Sequence, residues 1–192
     1  METDKQEEEE TMLQGATLLQ GYGQIRSASG RSGGIALAAR KWRDARFHGR
    51  LGQVWSLLTG RSRRLLHLSA FRAAGSLLGA HSAGIRTVPI SKIRGSEGRS
   101  EDFDQEFRPL RLHNQGRWLS VAAARQRGVA LPPVELIQIG EIYFVRDGHH
   151  RISVAKAFGQ DEIEAEVTVW ETDCPLNAGT LATARGQARK AA

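Results

Sequence analysis

The stretch that most constrains this 192-residue chain begins at Pro132. Pro132-Pro133 fixes an extended lead into Val134-Glu135-Leu136-Ile137-Gln138-Ile139. Gly140-Glu141 then turns the chain tightly into Ile142-Tyr143-Phe144-Val145. Two β-prone runs across a two-residue turn predict a hairpin. Asp147-Gly148 ends the second strand, and Ile152, Ala155 and Lys156 predict a short helix closed by Gly159. Around this unit, Thr87-Val88-Pro89-Ile90 reads as a strand, 95–102 as a polar loop, and 118–127 as a helix stopped by Gly128. Residues 163–170 alternate acidic and apolar side chains, the pattern of a half-buried strand. The order strand, helix, hairpin, loop, helix, strand predicts one α+β domain over residues 85–172.

Charge divides the rest of the chain. Residues 1–10 hold six acids and one Lys, whereas residues 11–84 hold eleven Lys/Arg against the single acid Asp44. Residues 1–34 are acidic and then Gly/Ser-rich, which predicts flexibility. Residues 35–84 are expected to form a basic helical arm. Leu51, Trp55 and Leu58 recur at helical spacing, Thr59-Gly60 ends that helix, and Ser62 caps a second one carrying Leu65, Leu68 and Leu78. Such an arm could attract DNA or anionic lipid, present an ordinary solvated helix face, or pair with the acidic residues 1–10. Trp42 and Trp55 are expected to stabilise it, and His48, His67, His81 and His113 to stand alone. The Ala/Gly/Thr-rich tail, 173–192, is expected to fray. One cysteine, Cys174, excludes an internal disulfide. No leader-like start or membrane-length apolar run is present, so a soluble, cytoplasmic protein without a membrane partner is the expectation.

Asp147-Gly148-His149-His150-Arg151 carries the candidate chemistry, because it opens a helix directly after a strand. The first N–H groups of a helix lack partners and its dipole is positive there, so such a junction suits an anion. Gly148 would let backbone approach a phosphate, Arg151 would offer a donor fork, and a histidine could donate or shuttle a proton. Asp147 could hold Mg²⁺, cap the helix or act as a base. The same letters equally describe an Asp-Gly turn, a helix cap and two surface histidines. His149 and His150 diverge by about 100° on a helix, which disfavours one shared metal ion.

From about Val88 to Trp170 the layout resembles the ParB/sulfiredoxin superfamily. The resemblance rests on Val88-Pro89-Ile90-Ser91-Lys92-Ile93, Leu131-Pro132-Pro133-Val134 and the box before Ile152-Ser153-Val154-Ala155. It implies a small mixed sheet with helices and a nucleotide site. Chromosome-partition members carry Gly-Glu-Arg-Arg at the box, and only Gly148 and Arg151 match. Sulfiredoxins place their nucleophilic cysteine where His149 stands, so that chemistry is not implied. The box letters agree with the ADP-dependent free-serine kinases, whose catalytic glutamate corresponds to Glu97. The resemblance therefore implies phosphates held by Gly148, His149, His150 and Arg151, with Arg99 adding a contact. It also implies Mg²⁺ held by Asp147 and an acceptor hydroxyl oriented or deprotonated by Glu97. On the residues alone, Glu97, Glu101 and Asp102 could simply be a solvated acidic loop.

Three functional classes follow. One is a Mg²⁺-dependent phosphotransferase or nucleotide hydrolase using ATP, ADP or CTP. A second is a non-catalytic, nucleotide-sensing regulator associated with DNA through residues 35–84. The third, a nuclease, lacks a specific cluster of metal-binding carboxylates in the sequence.

Overall fold

The computed structural model describes residues 28–60, 63–69, 72 and 77–173. By contacts the chain divides into Met1–Gly33 and Gly34–Ala192, and the second unit carries the sheet. Helix α1 spans Ala28–Thr59. Strands β1 (Leu66–His67), β2 (Leu77–Pro89) and β3 (Ile93–Ser96) follow. Helix α2 (Gln115–Gln126) precedes the hairpin β4 (Val134–Ile139) and β5 (Ile142–Asp147). Helix α3 (His149–Ala157) and strand β6 (Glu162–Thr172) complete the fold. The α+β expectation holds: the six strands form one mixed sheet in the order β1-β3-β5-β4-β6-β2.

Pairing directions fix which strand ends share an edge. β1, β3 and β5 run parallel to one another, β4 is antiparallel to β5, β6 follows β4, and β2 is antiparallel to β6. The C-terminal ends of β1, β3 and β5 therefore lie side by side, next to the start of α3. Both faces of the sheet centre are buried. Along β4, Val134 and Leu136 join a core containing Ile152 and Ala155 of α3, whereas Ile137 and Ile139 join one containing Leu66, Leu68 and Phe144. A third core packs Ala38 and Trp42 of α1 against Trp118, Ala122 and Val154.

The expected second helix of the arm does not run from Ser62 to Leu78: β1 takes Leu66–His67 and β2 begins at Leu77, while Leu68, Ser69 and Arg72 between them are helical. Leu65 and Leu68 are three apart, as on a helix, but they bury in different cores on either side of β1. Leu78 is an exposed residue of β2, and residues 77–84 pair with β6 despite their Gly, Ala and Ser content. The sheet thus reaches back across position 85. Residues 28–34, expected to be flexible, are helical. Residues 1–27 and 174–192 of the two expected flexible segments lie outside the described residues, Cys174 among them. Trp42 packs on Trp118, but Trp55 is 60 % exposed and stabilises no packed face. Among the described residues no helix is long and apolar enough to cross a membrane.

Gly95 is the tightest point of the sheet. A Cβ there would lie 2.2 Å from Phe144 Cδ1 and 2.8 Å from the Leu66 carbonyl oxygen. Phe144 is fully buried and cannot swing aside. Gly95→Ala should cost about 1–3 kcal/mol as overpacking, read as a melting temperature lowered by several degrees. An unchanged melting temperature would contradict this packing.

Candidate functional site

The box folds as a strand end, a left-handed glycine and a helix start. Gly148 adopts φ 101° and ψ 18°, and a Cβ on it would lie 2.5 Å from Val134 Cγ1. Only glycine meets both conditions. Neither Gly148 nor Asp147 caps α3 through a side chain. Asp147 forms an ion pair with Arg151 instead. Arg151 Nη1 also donates to the carbonyl oxygens of Pro132 (2.6 Å) and Pro133 (2.7 Å). The guanidinium expected to offer a phosphate a free fork is thus engaged in tying the lead into β4 to the first turn of α3.

The two histidines are buried rather than superficial, 4 % and 7 % exposed. His149 Nε2 lies 2.7 Å from Ser96 Oγ. That oxygen also accepts the backbone N–H of Arg99 (2.9 Å) and of Gly98 (3.3 Å). A hydroxyl has two acceptor positions and one proton, so Ser96 must donate to Nε2 and His149 carries its proton on Nδ1. Phe103 stacks on His149 at 5.9 Å between centroids and meets His150 edge-on at 5.4 Å. His150 Nε2 is buried without a hydrogen-bond partner. Burial, with the nearby Arg99 guanidinium second, lowers His149 to a pKa of about 4 against an opposing pull from Asp147. Burial, then Arg117 and Arg99, lowers His150 to about 3. Both rings are therefore neutral at physiological pH.

The loop after β3 is held from two sides. Ser96 meets His149 on one, and Ser100 Oγ lies 2.6 Å from His67 Nε2 on the other. Downstream, the buried Asp104 carboxylate accepts the N–H of Glu106 and of Arg108, both at 2.9 Å. Phe107 inside that turn takes φ 54°, a strained value for an aromatic residue. Arg99 stands 3.7 Å from Asp102 at the exposed rim. Glu97 extends the ladder through its N–H to the Val145 carbonyl (2.9 Å), and its half-exposed carboxylate faces Arg146 Nε at 3.3 Å.

A second helix start faces this edge. Trp118 Nε1 donates to Ser153 Oγ at 2.9 Å, and Arg125 Nη1 donates to Gln160 Oε1 at 2.6 Å. Those contacts align α2 parallel to α3, so the positive ends of both helices lie together. Arg117 in the first turn of α2 acts on His150. Asn114, 2 % exposed just before α2, has an amide nitrogen without a partner.

The structure thus brings Asp147, Gly148, His149, His150, Arg151 and Arg99 to one edge, with Glu97 beside them but turned to Arg146. Ser96, Phe103, Asn114 and Arg117 are not singled out from the sequence, and His67, His81 and His113, expected to stand alone, face Ser100, Glu171 and Asp102. The signal for Phe103 was its apolar ring between Asp102 and Asp104, which a solvated loop would not favour. Among the described residues no group of three or more His, Cys, Asp or Glu is arranged for a metal ion. An ion at Asp147 would need phosphate and water for its remaining ligands, a common arrangement for Mg²⁺. A separate surface depression, lined by Thr87 and residues 160–164, includes none of the box residues.

Because both folded-state pKa values lie below the unfolded value of 6.5, the unfolded chain binds more protons in the window between them. Stability should therefore fall with pH below about 6.5, by about 1.4 kcal/mol per pH unit for each histidine. Denaturant melts at pH 7, 6 and 5 test this, and the slope should shrink in a His149→Gln/His150→Gln variant. A flat wild-type profile would contradict the buried neutral pair.

Comparison with known protein families and with curated proteins finds no match. Among solved structures the chain is similar to sulfiredoxin from Arabidopsis thaliana, at 23 % identity and a TM-score of 0.30. The match covers 43 % of this chain and 82 % of that one.

Proposed function

We propose that the edge formed by β3, β5 and the starts of α2 and α3 binds the phosphates of a nucleotide. The observation that carries this reading is the convergence of two helix N-termini with Arg99 and Arg117 around histidines held neutral. Two helix N-termini with Arg117 and with Arg99, which shares its charge with Asp102, favour a polyanion, and the first-turn N–H groups of α3 would donate to its oxygens. Gly148 supplies the left-handed turn into α3, with Val134 filling the side where a Cβ would stand. His150, neutral and with an unpartnered ring nitrogen, could turn toward a phosphate oxygen or the nucleotide. Arg151 holds α3 and the segment before β4 in place, a positioning role in this reading. Mg²⁺, when bound at Asp147, would neutralise phosphate charge.

Catalysis is a narrower form of the same proposal. Glu97 would have to leave Arg146 to take the proton of an acceptor hydroxyl, or to orient water in a hydrolase. Binding without turnover would fit the regulator class instead.

Calorimetry with ATP, ADP and CTP in the presence of Mg²⁺ tests the reading. A charge-assisted hydrogen bond contributes about 1.5–3 kcal/mol. Arg99→Ala and Arg117→Ala should therefore each weaken binding on the order of tenfold to a hundredfold. Glu97→Gln should leave affinity intact and depress any phosphoryl transfer. Failure of all three nucleotides to bind the wild type would remove the proposal.

A further inference from the structure

Helix α1 carries a surface that the phosphate site does not use. Its inner face is packed: Ala38 and Trp42 are buried, and the missing side chains of Gly49 and Gly52 let it lie against Leu110 and Arg63. On the far side, Phe47, Leu51, Val54, Trp55 and Leu58 are each between 49 % and 76 % exposed. Their spacing of four and three places them on one stripe, about half a turn from Trp42. The exposed Arg43 and Arg50 border that stripe. Isolated apolar residues on a surface need no explanation, but a continuous stripe of five, including Trp and Phe, does.

We propose that this face docks on an anionic lipid bilayer, with α1 lying along the surface. The chemistry distinguishes the occupants. Duplex DNA would set its phosphates against aromatic and aliphatic side chains, which gain nothing from them, so the stripe argues against α1 as a DNA arm. A second copy would bring Arg43 and Arg50 against further arginines, with Asp44, itself facing Arg40, as the single acid of α1 to offset them. A bilayer takes Trp, Phe and Leu into its interfacial zone while arginines at the margin reach anionic headgroups. The exposed residues also spread beyond a narrow helix-pairing seam, as Leu57 at 85 % exposure illustrates. No helix among the described residues suits a membrane span, so the contact is peripheral. This inference does not depend on nucleotide binding.

Full-length protein is to be sedimented with vesicles of phosphatidylcholine alone, or of phosphatidylcholine mixed with phosphatidylserine. It should pellet with the anionic vesicles and be released by high salt. Arg43→Gln and Arg50→Gln should each weaken that binding about fivefold. Leu51→Ser/Trp55→Ser should abolish it, because the stripe, unlike the rim, cannot be replaced by charge. These positions are exposed, and an unchanged melting temperature would verify folding. Absence from both vesicle pellets would overturn the proposal. So would duplex-DNA binding that survives Leu51→Ser/Trp55→Ser without any vesicle binding, or a wild-type dimer that this double variant dissolves without any vesicle binding.

Discussion

The hydrogen bond from Ser96 to His149 joins the end of β3 to the first turn of α3. It occupies the only proton on a hydroxyl that already accepts two backbone N–H groups, so it sets the tautomer of the ring as well as its position. Protonating His149 would put a donor on Nε2 against that hydroxyl. The bond and burial therefore act in the same direction, toward a neutral imidazole. Phe103 seals the arrangement by lying on one histidine and meeting the other edge-on. The presentation of Arg99 depends on it too, since the Arg99 N–H is one of the two that Ser96 accepts.

Topology makes this bond available. Because β3 and β5 are parallel neighbours, the ends of both strands reach one edge, and α3 begins there without a long connection. Ser96 pairs with Val145 two residues before Asp147, which brings a serine at the end of one strand beside the histidine that opens the helix following the other. The Trp118 to Ser153 bond then sets α2 alongside α3. A positive edge results from backbone geometry before any arginine is counted. Arg151, tied to two carbonyl oxygens and to Asp147, keeps that geometry rigid.

The hairpin, the box helix and β6 were legible because each pairs a clear period with a punctuating glycine. Gly140, Gly148 and Gly159 all take positive φ. β1 was not legible: two residues carry too little periodicity, and leucines three apart imitate a helix. The early half of β2 was hidden for a different reason. Its Gly79, Ala80 and Ser82 have no strand preference of their own, and pairing with β6 decides their conformation. At the site, the box letters identified the histidines but not their burial, which depends on Ser96 at the end of β3 and Phe103 in the loop beyond it. Arg151 read as a phosphate fork because the two proline carbonyls that occupy it are invisible to a motif. Asn114 and Arg117 enter only through the packing of α2 on α3.

The central claim, that the edge is electropositive around neutral histidines, is tested most directly by observing the imidazole nitrogens. Long-range proton–nitrogen NMR correlation of the full-length protein across pH 7.5 to 4.5 reports tautomer and charge together. The account requires His149 protonated on Nδ1 alone, with both His149 and His150 neutral throughout most of that range, consistent with values of about 4 and about 3. A proton on Nε2 of His149, or titration of either ring near 6.5, would contradict it.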